Sequence, residues 1–212
     1  PENCFICDSN GVIYKGRKEG MNEFKETLQT ESVSEPTSLE EISKGADVLI
    51  GVSAPNIFTD EILKSLAVNP VIFAMANPNP EVTPDKAREI RPDCIIATGR
   101  SDYPNQINNV MCFPFLFRAA LDCRAKQIDE NMKLAAAKAL ADLATQPIPD
   151  EVKAIYPDFL KDSEKFKPGS RDYIIPTPFD PRLITAIPLA VAKAAEKSGM
   201  AQKPIRDYTA YE

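Results

Sequence analysis

The run DVLIGVSAPNIFTDEILKSLAVNPVIFAMANPNPEVTPDKAREIRPDCIIAT, from Asp47 to Thr98, decides the fold class. It holds three short apolar segments: DVLIGV (Asp47–Val52), PVIFAMA (Pro70–Ala76) and DCIIAT (Asp93–Thr98). None alternates with polar residues, and each carries β-branched side chains. That is the pattern of strands covered on both faces, in a parallel sheet between helices. Helix signals fill the gaps. Thr59 is an N-cap followed by Asp60 and Glu61, where the positive end of a helix dipole favours acids. Thr83-Pro84 opens a second helix with proline in its first turn, where a missing N–H costs nothing. Strict alternation of strand and helix predicts an α/β fold, a doubly wound parallel sheet.

Working outward, Ser38 and Glu41 form a capping box that opens a helix over Ser38–Lys44. Met21 to about Thr30 also has a helical pattern, and NCFICD (Asn3–Asp8) is a further strand that ends in an acid. Beyond the sheet, Met132, Ala135, Ala136, Ala139, Leu140, Leu143 and Ala144 recur at about 3.6-residue spacing and form the core face of one helix. Pro147, Pro149 and Pro157 break that pattern, and residues 158–181 are Pro-rich and poorly periodic. A last helix is expected from Pro188, as its first residue, to Gly199 as its C-terminal stop. The expected division is a Rossmann-like unit over residues 1–127, lacking its first strand, and a helical region over 128–212 that packs on it.

Composition excludes several classes. The chain has 212 residues, a net charge of −6 and a pI near 4.9. An acidic chain without a Lys/Arg cluster is not expected to bind nucleic acid, whose affinity rests on phosphate neutralisation. No apolar run approaches the roughly 20 residues of a membrane span, and the N-terminus carries no secretory signal. Five cysteines, odd in number and irregularly spaced, read as reduced thiols and a cytoplasmic setting. Cys4-x-x-Cys7 lies inside the strand NCFICD, so buried thiols are expected there instead of a metal or redox site. Histidine is absent, which removes Ser-His-Asp and Cys-His catalysis and any zinc site with His ligands. Proton transfer would have to use Lys, Tyr or a carboxylate.

Open parallel sheets bind ligands beyond the carboxyl ends of their strands. The loops in that position are Asp8–Gly11, Gly51–Pro55, Ala76–Glu81 and Thr98–Asn109. Ser53, in the small-residue run Gly51-Val-Ser-Ala-Pro55, suits a cofactor lying across a strand end, or equally an ordinary turn. Asn77, Asn105, Gln106, Asn108 and Asn109 place carboxamides at two successive strand ends. A carboxamide is both donor and acceptor without charge, which suits a nicotinamide amide beside a small hydroxy- or keto-acid. Asn77-Pro78 as a turn and Asn108 as a helix cap are the plainer readings. In a dinucleotide fold a G-x-G-x-x-G turn precedes, by roughly 20 residues, an acid that holds the ribose. Asp8 suits that acid, yet the eight glycines contain no G-x-G. The chain is therefore expected to start at a second strand, with at least roughly 30 residues of the unit before it.

Four stretches carry a resemblance: DSNGVIYKGR (Asp8–Arg17), FAMANPNPE (Phe73–Glu81), ATGRSDYPNQINNVMCFPF (Ala97–Phe115) and IIPTPFDPRLI (Ile174–Ile184). Together they resemble malic enzyme, in particular the bacterial NADP-dependent type that often carries a phosphotransacetylase-like domain behind it. The resemblance implies oxidative decarboxylation of (S)-malate to pyruvate and CO2, with NADP or NAD, a divalent cation (Mg2+ or Mn2+), and a homodimer or higher homo-oligomer. It sets Asp8 beside the adenosine ribose, Asn77 against nicotinamide and malate, Asn109 on the substrate side and Asn108 toward the cofactor. Ser9 and Lys25 fall where a small polar residue and a cation favour a 2′-phosphate, although a solvated helix lysine is the plainer reading of Lys25. With Lys15 and Arg17 nearby, and Glu19 opposing them, NADP is expected over NAD. The family's proton-transferring Tyr and Lys, its metal ligands and its Gly-rich loop are implied to lie upstream of Pro1. No catalytic or metal residue is thus expected in this chain, which reads as a cofactor-domain fragment inactive alone. Two alternatives remain: the cofactor domain of another nicotinamide-dependent dehydrogenase, against which N-N-x-x-x-F-P argues, and a non-catalytic binding module.

Overall fold

The computed structural model describes residues 3–156 and 166–211. Its centre is the parallel sheet that the alternation predicts. Strands β3 (Val48–Gly51), β4 (Val71–Ala74) and β5 (Ile95–Thr98) lie side by side in that order. Val48 pairs with Val71 and Val71 with Ile95, so the strands end level at Gly51, Ala74 and Thr98. Helices α3 (Asp60–Ser65) and α4 (Pro84–Ile90) form the crossovers. Each begins where a threonine hydroxyl accepts a backbone N–H three residues on: Ile62 to Thr59 at 3.3 Å and Lys86 to Thr83 at 3.4 Å. The capping box is present too, with Ser38 N–H on the Glu41 carboxylate at 2.8 Å and Glu41 N–H on Ser38 Oγ at 3.2 Å. It starts α2 (Leu39–Ile42). Leu49, Ile72 and Ile96 pack with Phe58, Ile62, Leu63 and Ala87 into one core.

Coverage is unequal at β3. Leu49 is buried, whereas Val48, Ile50 and Val52 are 51, 57 and 76% exposed, so that β3 is covered on one face only among the described residues. The N-terminal strand also differs from expectation. Only Cys7–Asp8 (β1) is extended, and it pairs antiparallel with Gly11–Val12 (β2) instead of joining the parallel sheet. The cause is local: Asn10 N–H bonds Asp8 Oδ1 at 2.9 Å and Gly11 takes φ +94, a left-handed conformation that reverses the chain. Cys4 is consequently exposed and Cys7 half-buried, not the pair of buried thiols expected. The helix read over Met21–Thr30 shrinks to α1 (Glu23–Glu26), capped by Asn22. Beyond it Thr30 is drawn into a bridge with Tyr14, its N–H bonding Ile13 O at 3.0 Å.

A 3-10 turn (Asn109–Met111) leads into α5 (Phe113–Asp122), followed by α6 (Glu130–Ala144), α7 (Asp150–Ile155), α8 (Leu183–Lys197) and α9 (Tyr208–Tyr211). The apolar stripe behaves as read: Met132, Ala136, Ala139 and Leu143 of α6 meet Leu183, Ile187, Val191 and Ala195 of α8 in a second core that also takes in Met111, Ala119 and Cys123. Helix α8 begins five residues before Pro188, which therefore sits inside it. Burial of Leu183 and Ile187 holds that first turn although proline supplies no N–H to it. The stop is as expected, with Gly199 at φ +72 and its N–H on Glu196 O at 3.0 Å. Pro157 and the first part of the irregular stretch at 158–181 lie outside the described residues. No described helix is long and apolar enough to cross a membrane.

Candidate functional site

Because the three strands end level, their following loops share one edge of the sheet. Ser53 follows β3, Asn77 follows β4, and both side chains are exposed. The loop after β5 turns back on its own strand, with Ile107 N–H on Thr98 O at 2.8 Å and Gln106 bridging Thr98. That return delivers Asn108 and Asn109, both exposed, to the end of β5. Asn108 Oδ1 accepts the Val110 N–H at 3.0 Å, so it caps the 3-10 turn and still has its amide N–H groups to offer. Among the described residues, no polar side-chain atom of Asn77 or Asn109 makes a hydrogen bond.

The other two carboxamides turn away. Asn105 is 5% exposed; its Nδ2 donates to Ile96 O at 3.1 Å and Arg171 O at 2.7 Å, and its Oδ1 accepts from Ile174 N–H at 3.0 Å. It ties the β5 loop to the IIPTP segment, buried and with both amide donors used. Gln106 Nε2 reaches only the Gly99 carbonyl, at 3.5 Å.

Sequence reading missed the residue beneath this edge. Glu81 is fully buried, with Oε1 accepting from Ser53 N–H at 2.9 Å and Oε2 from Ala76 N–H at 3.0 Å. Its place requires Gly51, since a Cβ there would stand 2.4 Å from Glu81 Cδ. The only available signal was an acid between Pro80 and Val82, which also reads as a helix approach. Gly51→Ala should therefore be an overpacking lesion of about 1–3 kcal/mol, read from the urea midpoint. An unchanged midpoint would mean that the carboxylate swings aside freely.

The second cluster lies on the β1–β2 ribbon. Arg17 Nη2 bonds both oxygens of Asp8, at 2.7 and 2.8 Å, and Lys25 Nζ adds a bond at 2.6 Å. Arg17 is spent inside the ribbon, with Nη1 on Gly11 O and Val12 O and Nε on Glu19 O. Burial alone would raise the Asp8 carboxyl; the bonds from Lys25, Arg17 and the Asn10 N–H outweigh it and bring it down to about 2. Ser9 beside it is exposed. Lys15 is not part of the group: it pairs with Glu31 at 2.6 Å, both side chains well exposed. One carboxylate thus faces two cations, which removes the repulsion a lone acid would exert on a phosphate. Among the described residues no group of three or more His, Cys, Asp or Glu could hold a metal ion.

Residues 1–164 match the family model described as malic enzyme, NAD binding domain. The NADP-dependent malic enzyme of Rhizobium meliloti (strain 1021) is 53% identical over 211 residues, covering 100% of this chain and 27% of that protein. An NAD-dependent malic enzyme of the same organism is 47% identical over 210 residues, 99% of this chain and 26% of that protein. Among solved structures, Entamoeba histolytica malic enzyme superposes with a TM-score of 0.78 at 32% identity, covering 98% of this chain and 40% of that one. The chain thus spans about a quarter of the length of these curated relatives.

Proposed function

We propose, from the premise that the chain belongs to the malic enzyme family, that its NAD-binding domain serves an enzyme converting (S)-malate to pyruvate and CO2. One observation carries the reading: where three parallel strands end level, Asn77 and Asn109 present carboxamides that no described residue occupies. NAD(P) held at this edge would supply the hydride acceptor for oxidation of the hydroxyl-bearing carbon of malate. Asn77 orients the nicotinamide amide and malate, Asn109 holds malate, and Asn108 turns its free N–H groups to the cofactor. Ser53 lines the strand end against the cofactor. Without charge these amides bind a dianionic acid through N–H donors and leave proton transfer to other groups.

The described residues do not fit a divalent cation. Its ligands and the proton-transferring residues are assigned to parts of the longer relatives that this chain does not span. Homodimeric or higher assembly and a cytoplasmic setting belong to the same proposal.

For the cofactor we favour NADP over NAD. Asp8 with an open carboxylate would hold a ribose 2′-hydroxyl and repel a 2′-phosphate. Here Arg17 and Lys25 cover it, and Ser9 is free to donate. Lys25→Ala should move the ratio of kcat/KM for the two cofactors toward NAD by about tenfold, the worth of one charge-assisted bond. A ratio untouched by both Lys25→Ala and Ser9→Ala would overturn the assignment.

The test of the activity is reduction of NADP by malate with Mn2+, followed by absorbance. The longer protein that carries this chain should turn over, and the 212-residue chain alone should not. No turnover in the longer protein overturns the function; steady turnover by the chain alone overturns the division of labour.

A further inference from the structure

Glu81 is an unusual residue to find under an open edge. A carboxylate with no solvent contact is costly unless its oxygens are bonded, and an apolar residue would fill the space more cheaply. Its two bonds go to different loops. Oε1 holds the Ser53 N–H after β3, 28 residues away, and Oε2 holds the Ala76 N–H at the end of β4. The backbone reinforces the link, with Asn56 N–H on Pro80 O at 3.3 Å and Phe58 N–H on Glu81 O at 3.2 Å. Ala76 precedes Asn77 directly, so fixing its N–H sets the path of the chain into Asn77. Gly51 is the concession that admits the carboxylate between the strands.

We propose that Glu81 is a positioning residue: its buried carboxylate clamps the β3 and β4 loops so that Ser53 and Asn77 meet cofactor and malate in one fixed geometry. The inference rests on the function proposed above. Hydride transfer tolerates little misplacement, and an error of about 1 Å costs on the order of a hundredfold in rate. A glutamine is nearly isosteric but offers a single acceptor. Its NH2 group would face one of the two N–H donors, releasing either Ser53 or Ala76.

The experiment is a double-mutant cycle in the longer protein, read as kcat/KM for malate at saturating NADP. Glu81→Gln alone should lose about tenfold to a hundredfold. In an Asn77→Ala background the same change should lose no more than about threefold at saturating NADP, because only the placement of Ser53 against the cofactor is left to disturb. Should Glu81→Gln not fold, Glu81→Asp, which keeps the charge but reaches one loop only, takes its place in the cycle. Full additivity, or no loss from Glu81→Gln while Asn77→Ala is impaired, overturns the positioning role and leaves the proposed function standing. A neutral Asn77→Ala overturns the positioning role together with the part proposed for Asn77.

Discussion

Asp8→Ala is expected to lower the unfolding free energy of this chain by about 3 kcal/mol. The change strands Arg17, whose side chain is 4% exposed, as a buried cation without its carboxylate. Removing one partner of a buried pair typically costs about 3–5 kcal/mol; the lower figure applies because Arg17 keeps its bonds to the carbonyls of Gly11, Val12 and Glu19. Asp8→Asn retains an acceptor for one guanidinium N–H and should lose less. The pH dependence follows from the depressed carboxyl. Folding holds Asp8 at about 2 against an ordinary 3.8, so the folded state binds its proton less readily than the unfolded chain. Its stabilisation is complete above the ordinary value and drains away as pH falls from there toward about 2. The stability gap between the wild type and Asp8→Asn should therefore be constant at neutral pH and close over that acid window. Denaturant melts at a series of pH values measure it. A gap that stays constant down to the acid end would mean that the ion pair contributes nothing to folding.

Thr59, Thr83-Pro84 and Ser38 with Glu41 were legible in sequence because a cap is a local bargain: one side chain satisfies a backbone donor three residues away. The three strands were legible for a similar reason, each being a short apolar run between such caps. What failed was whatever distant partners decide. Asn3–Asp8 has strand composition, yet the Asn10 and Gly11 turn folds it back on itself before any parallel neighbour is engaged. Pro188 looked like a helix start, since nothing in the sequence shows that Leu183 and Ile187 are buried against α6. At the candidate site, the strand-end rule was enough to expect Asn77 and Asn109 in the loops beyond the level strand ends, where the structure has them. Asn105 could not be told from them, because its three bonds come from residues 9, 66 and 69 positions away. Glu81 was hidden by the same cause, its partner Ser53 lying 28 residues upstream.

Asn77→Ala and Asn109→Ala should each lower kcat/KM of the longer protein for malate by about 10- to 100-fold, and by different routes. A hydrogen bond to a charged group is worth about 1.5–3 kcal/mol, and deleting the donor leaves a malate oxygen desolvated without a partner. Loss of Asn109, which the proposed arrangement puts on the substrate side, should raise KM for malate while KM for NADP stays within about twofold. Asn77, reached by both ligands in the proposed arrangement, should disturb both constants and lower kcat as well, because it loses an interaction that orients the reacting pair. The exposure of both side chains means that neither substitution removes a core contact, so melting temperatures should barely move. Asn77→Asp sharpens the test. It is nearly isosteric, but it sets a carboxylate against a dianionic substrate, and the loss should exceed that of the alanine. Initial rates with malate and NADP varied separately give all three constants. Wild-type kinetics in both alanine variants would remove these loops from the active site, and an Asn77→Asp milder than Asn77→Ala would place Asn77 away from malate.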